Sequence, residues 1–233
     1  MIESEKVYWL RGRGLGDCIG GIMIYLDYSV KQNKIIRVAN GYVKNGRKRN
    51  LKHKMDDILP LIDSPGKILQ VDETPIATYL DGEETKIKYF RTNPYWKPNN
   101  NNMVAYQFDG RSHKNKNFPS KDAENEVLDF VVERKFGVIQ LGQHISLREC
   151  VSILSQAAIF VGVPSGMAVL SWAVGTPTYI IFNKLDSTWL ASHKSSHFLL
   201  LHTGKDFIDA FSEYYKNGID IYKKKCINPE CLL

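Results

Sequence analysis

Apolar residues along this chain fall into short β-branched runs, separated by longer stretches in which they recur every three or four positions. Lys6–Leu10 (KVYWL), Ile35–Ala39, Lys67–Val71, Met103–Phe108, Gly137–Leu141, Ile159–Val163 and Phe198–Leu201 read as strands, with Lys86–Phe90 as a further short one. Ile19, Ile22, Met23, Leu26 and Val30 lie at helical spacing and predict a helix over 17–31; a second helix is expected near 55–62. Ser120 is placed to cap a helix over 121–135 that buries Val127, Phe130 and Val131. Ser146-Leu-Arg-Glu149 has the form of a capping box, and Leu147, Cys150, Val151, Leu154 and Ala158 line one face of the helix it opens. A last helix is expected from Asp206 to about Tyr215. Strands alternating with helices predict right-handed βαβ units and parallel sheets. The polar, breaker-rich run Asn99 to Asn102 divides the chain into a lobe over 1–98 and a second over 103–233.

Two segments carry candidate chemistry. Val161–Phe182 (VGVPSGMAVLSWAVGTPTYIIF) reads as buried strand, tight turn, helix, Gly-Thr-Pro stop and second buried strand. Ser165 is placed to cap that helix, and the free N–H groups at Ser165, Gly166 and Met167 would form an anion site at the carboxyl end of a parallel strand. The same pattern also suits one more βαβ unit with no ligand. Near the start, Arg11-Gly-Arg-Gly-Leu-Gly-Asp17 joins the first strand to the first helix. Its glycines, Gly14 and Gly16 among them, let backbone approach a ligand closely. It is a poor dinucleotide fingerprint, because Asp17 and Ile19 occupy positions that would need glycine. Asp17 suits either a charge at a helix N-terminus or a general base in a cleft.

The formal net charge is +6 and the isoelectric point is about 9.0, which points to an acidic partner. Much of the excess is local: Lys44, Arg47, Lys48, Arg49, Lys52 and Lys54 share a stretch without an acid. It reads as a solvated basic loop or as a contact for phosphates of nucleic acid or of a phosphorylated glycan. No apolar run is long enough to span a membrane and no secretory signal opens the chain, so a cytoplasmic location is expected. The four cysteines form no disulfide framework, and neither they nor His193, His197 and His202 have metal-ligand spacing. No metal and no bound cofactor are expected. His144 follows a strand and is a candidate nucleotide contact, or a surface histidine.

Three landmarks together resemble the heptosyltransferase-type glycosyltransferases, which act in lipopolysaccharide core assembly. Gly16-Asp17 after the first strand is similar to the family's Gly-Asp, Lys116-Asn-Phe-Pro119 to its Lys-x-Trp-Pro, and the tract Ser146–Phe182 to its donor-binding region. The resemblance implies an α/β, GT-B-like fold, with two Rossmann-like lobes whose parallel sheets face across a cleft. It implies a metal-independent transfer of a hexose or heptose from a nucleotide-sugar co-substrate. Asp17 would be the base, and Lys116, Arg111, Ser165, Gly166, Met167 and His144 would hold the donor. Arg11, Arg13, Gly14, Gly16, Arg47, Lys48 and Arg49 would hold a polyanionic acceptor. That acceptor is expected to be a hydroxymethylated DNA base or a phosphorylated glycan such as lipopolysaccharide core. Small size, basic charge and abundant Lys, Asn and Ile suit a phage-encoded enzyme working in the host cytoplasm. Pro164 and Val169 stand where the family has Asp and His, so a degenerate member that binds nucleotide or nucleic acid without turnover is the alternative.

Overall fold

Parallel pairing of the short apolar runs organises both halves of the chain. In the computed structural model of the 233-residue protein, residues 7–9, 14–39, 41–44, 47–49, 58, 68–71, 77–78, 102–109, 119–142, 144–181, 198–201 and 203–217 are described. The chain divides into two compact units, Met1–Arg91 and Thr92–Leu233.

The first unit contains β1 (Val7–Trp9), α1 (Leu15–Gln32), β2 (Ile36–Ala39), β3 (Tyr42–Lys44), β4 (Arg47–Arg49), β5 (Ile68–Val71) and β6 (Ala77–Thr78). Four of the strands form a parallel sheet in the order β5-β2-β1-β6. Helix α1 starts two residues before the expected Asp17 and buries Ile19, Ile22 and Met23 as its spacing predicts. The Tyr25 ring lies 5.6 Å from that of Tyr8 on β1, tying the helix to the sheet. Asn33, in the left-handed region at φ 49°, ends α1, and the Lys34 N–H closes back on the Ser29 carbonyl at 3.1 Å.

The expected basic loop is corrected by an antiparallel hairpin, in which Tyr42 pairs with Arg49, Val43 with Lys48 and Lys44 with Arg47. Two residues, Asn45-Gly46, separate its strands, and that dipeptide is the strongest short-range signal for a hairpin. The cations masked it. Strand β6 has no counterpart among the expected strands; two residues long, it is recognisable only by its pairing with β1. Of the expected helix near 55–62, only Ile58 is described; it is helical and buried. The expected strand at 86–90 lies outside the described residues, as does the linker apart from Asn102.

The second unit contains β7 (Met103–Gln107), α2 (Lys121–Glu133), β8 (Gly137–Gln140), α3 (Leu147–Gln156), β9 (Ile159–Gly162), α4 (Gly166–Val174), β10 (Thr178–Ile181), β11 (Phe198–Leu201) and α5 (Gly204–Asn217). Its parallel sheet runs β11-β10-β9-β7-β8. Helices α2 and α5 pack together beside Val161, Tyr179 and Ile181, where Phe130, Phe136, Phe207 and Phe211 meet edge to face. The alternating residues Phe160 and Ile180 are buried too, and α3 and α4 pack against each other with α4 over β9 and β10. Burial on both faces explains why β9 and β10 read as unbroken apolar runs. The caps match the sequence. Ser120 accepts from the Ala123 N–H at 3.2 Å, and Ser146 and Glu149 form the reciprocal box. Gly175 at φ 92° closes α4.

Gly-Thr-Pro has a structural task. The buried Thr176 hydroxyl donates to the Leu154 carbonyl at 2.7 Å, while Thr178 bonds the Thr176 carbonyl and pairs with Ser171. These bonds clasp the end of α4 to α3 and β10.

Gly162 faces Gln107 across β9 and β7. A Cβ there would come within 2.4 Å of the Gln107 carbonyl oxygen and 2.8 Å of the Phe160 ring, so only glycine permits this approach. Gly162→Ala is expected to lower stability by about 1–3 kcal/mol. Gly20→Ala, whose added carbon meets nothing within 4 Å on α1, should instead stabilise by roughly 0.5–1 kcal/mol. Urea midpoints for the two variants measure both; equal midpoints would contradict the close approach at Gly162.

Candidate functional site

In an open parallel sheet, ligands bind beyond the carboxyl ends of the strands, where successive connections depart in opposite directions. In the second unit β8 lies on one side of β7, while β9, β10 and β11 succeed one another on its other side. The reversal therefore falls between β7 and β9. The segments leaving there begin at Phe108 and Val163, and the Val163 N–H extends the pairing by bonding the Gln107 carbonyl at 3.1 Å.

Ser165, just beyond β9, is 8% exposed and has extended backbone angles of φ −155° and ψ 170°. Its hydroxyl accepts from the Ala168 N–H at 3.3 Å and donates to Gln107 Oε1 at 2.8 Å. Both functions of the hydroxyl are thus engaged inward. A cap takes one of the free N–H groups of a helix start. Ala168 is the one taken here, so the Gly166 and Met167 N–H groups point along the axis with no intrahelical acceptor. From Ala157 to Ile181, Gly166 and Met167 are the two residues that are not buried. A wholly buried βαβ unit is open to solvent at its helix N-terminus, where the helix dipole favours an anion.

Gln107 was missed by sequence reasoning, since nothing local separates it from the rest of an apolar strand. Its signal was a polar residue at the end of a buried run. Val169 is 1% exposed, and Pro164 is buried as well. Trp172 is fully buried in the core. His144 is exposed beyond β8, its ring 3.1 Å from where a Cβ on Gly142 would sit, one strand removed from the reversal. Arg111 and Lys116 belong to the connection that leaves β7 at this edge, but lie outside the described residues. An open concavity along the outer side of α2 is lined by Asp122, Glu126, Asp129 and Glu133, whose charges disfavour a phosphate.

In the first unit the reversal falls between β1 and β6, beside the start of α1. Gly14 and Gly16 are half-buried there and Asp17 is exposed. The Gly14 N–H donates to Asp17 Oδ2 at 3.2 Å, so the carboxylate reaches back to the residue that opens α1. Of the two readings of Asp17, this geometry displays the helix-start charge. Behind it, burial pushes the Cys18 thiol up to about 12, with the Asp17 charge adding to the shift. Arg11 and Arg13 lie outside the described residues. Arg47 is exposed on β4, where it pairs with Lys44 in the hairpin register. Among the described residues no group of three or more His, Cys, Asp or Glu converges on a metal position, and no helix is long and apolar enough to cross a membrane.

No protein-family model matches this chain, and no curated protein matches it in sequence. Solved structures do. The Escherichia coli heptosyltransferase WaaC with ADP superimposes with a TM-score of 0.55 at 9% identity, over 91% of this chain and 99% of that one. The protein has the α/β fold of a glycosyltransferase. The iron-containing dodecameric glycosyltransferase TibC from enterotoxigenic E. coli H10407 gives 0.48 at 16% identity, over 76% of this chain. TibC in complex with ADP-D-β-D-heptose gives 0.49 at 15% identity. This chain spans 57% of the length of TibC in each case.

Two measurements check this geometry. Ser165→Ala removes a cap and leaves Gln107 Oε1 without its donor, so a stability loss of about 1–3 kcal/mol is expected. Combined with Gln107→Leu, the pair should fall short of additivity by about 1 kcal/mol, and strict additivity would contradict the bond. For Cys18, an unfolded thiol ionises near 9.0 and the folded one near 12. Between those values the unfolded chain sheds a proton that the native state keeps, so stability falls as pH rises through the window. Cys18→Ala should flatten that alkaline fall in urea midpoints; an unchanged profile would place the thiol in water.

Proposed function

We propose that this protein is a glycosyltransferase that moves a sugar from a nucleotide sugar to a hydroxyl of a polyanionic acceptor. The observation that supports this most is the solvent-open N-terminus of α4 at the strand reversal, in a unit otherwise buried from Ala157 to Ile181. The likeness of fold to WaaC, solved with ADP, supports a nucleotide ligand for this chain.

In this reading the acceptor oxygen attacks the anomeric carbon as the bond from that carbon to the diphosphate oxygen breaks. The nucleoside diphosphate leaves with the electron pair. Its growing charge meets the Gly166 and Met167 N–H groups, aided by the helix dipole; preorganised donors at a developing oxyanion typically contribute ~3–4 kcal/mol each. Lys116 and Arg111, on the connection from β7, add positive charge, and no metal is required in this scheme. Asp17 receives the acceptor proton, releasing its bond to Gly14 or using its other oxygen, for about 10²–10⁴ in rate. The acceptor is a hydroxymethylated DNA base or a phosphorylated glycan, handled in the cytoplasm.

A second reading, nucleotide binding without turnover, is favoured by the burial of Val169 and Pro164, which leaves no polar group where the family has two. A panel of nucleotide sugars separates the readings through the nucleoside diphosphate released and the sugar incorporated. Transfer is expected, with Asp17→Asn slower by about 10²–10⁴ and nucleotide affinity within roughly twofold of the parent. Binding without release would establish the second reading. Unchanged turnover in Asp17→Asn would remove that residue from the chemistry.

A further inference from the structure

Gln107 closes β7 where the second sheet reverses direction. Alternation along β7 sends Val104 into the core beside α2 and α5, so Gln107 lies on the opposite face, toward the start of α4. The residue is 9% exposed, yet one end of its carboxamide alone is engaged: Oε1 accepts the Ser165 proton at 2.8 Å. Among the described residues no group accepts from Nε2, and that atom is not enclosed by protein. A carboxamide nitrogen carries two donors. Nine-tenths buried at a strand end with both donors unused, this group is placed for a ligand.

The Ser165 hydroxyl decides which end of that carboxamide turns outward. One of its lone pairs takes the Ala168 N–H at 3.3 Å, and its single proton needs an acceptor. Gln107 Oε1 supplies it. Turning the carboxamide over would leave the hydroxyl proton of a buried residue unpaired, at a cost of about 1–3 kcal/mol. The nitrogen is thereby held on the outward side, at the helix start that also presents the Gly166 and Met167 N–H groups. All of these groups are donors, a set that suits an oxyanion. We infer that Gln107 contacts the diphosphate, giving Nε2 to a phosphate oxygen, while Ser165 is a positioning residue that touches no phosphate itself. The inference rests on the reading of the α4 start as a diphosphate seat, and names the side chain that completes it.

The probe is inorganic pyrophosphate, which carries neither base nor sugar, titrated calorimetrically into the full chain. Gln107→Glu keeps an acceptor for the Ser165 proton, so its thermal melt should stay close to that of the parent. It exchanges a donor for a negative oxygen, and Kd should rise about tenfold or more. Ser165→Ala keeps the nitrogen but lets the carboxamide turn, and Kd should rise by about two- to fivefold. In the parent chain the side-chain amide protons of Gln107, assigned through the backbone, should shift and saturate together with the heat signal. That measurement needs no variant to fold. Side-chain resonances that stay in place at saturation, or an unchanged Kd in Gln107→Glu, overturn the role of Gln107 and leave the α4 seat standing. Pyrophosphate that fails to bind the parent overturns both. No sugar or acceptor is present, so turnover is tested separately by the nucleotide-sugar panel.

Discussion

The hydrogen bond from the Ser165 hydroxyl to Gln107 Oε1, 2.8 Å long and buried, joins the two strands between which the second sheet reverses direction. It depends on Gly162, because any side chain there would push β9 away from the Gln107 carbonyl. The geometry of the helix start depends on this bond in turn. With its proton committed to Gln107, the Ser165 oxygen faces the Ala168 N–H, α4 starts at Gly166, and the two outermost N–H groups have no intrahelical acceptor. At the other end of α4 the buried hydroxyls of Ser171, Thr176 and Thr178 hold the helix to α3 and β10. A nine-residue helix fixed at both ends presents its dipole in one direction.

The parts of this fold that were legible in the sequence are those encoded within a few residues. Ser120, Ser146 with Glu149, Ser165 and Gly175 mark helix ends through chemistry that acts over three or four positions. The apolar runs at Ile159–Gly162 and Thr178–Ile181 announce burial on both faces. What was not legible is set by pairing between distant segments. Gln107 and Ser165 are 58 positions apart, and only the β7–β9 register makes them partners. Ala77–Thr78 is too short to show any period, and becomes a strand only beside β1. The hairpin is a different failure: its Asn-Gly signal was present, but the surrounding cations drew the reading toward a solvated loop.

The candidate site was half visible for the same reason. The Ser165 turn and the Gly14–Asp17 start could be picked out as strand-to-helix junctions. Only the sheet orders show that each lies beside the reversal of its own sheet. Gly-Thr-Pro, expected within a donor region, forms a buried clasp at the far end of α4. Asp17 remains exposed, and its bond to Gly14 shows a helix start that a base would have to share. The first unit carries an exposed carboxylate at a helix start, and the second a helix N-terminus open to solvent.

Backbone amide shifts during titration with a nucleoside diphosphate bear most directly on the central idea. The Gly166 and Met167 resonances should move furthest and saturate together with the rest of the binding signal. Saturable binding that leaves those two amides in place, while resonances elsewhere shift, would show that the Ser165-capped helix is not the diphosphate seat.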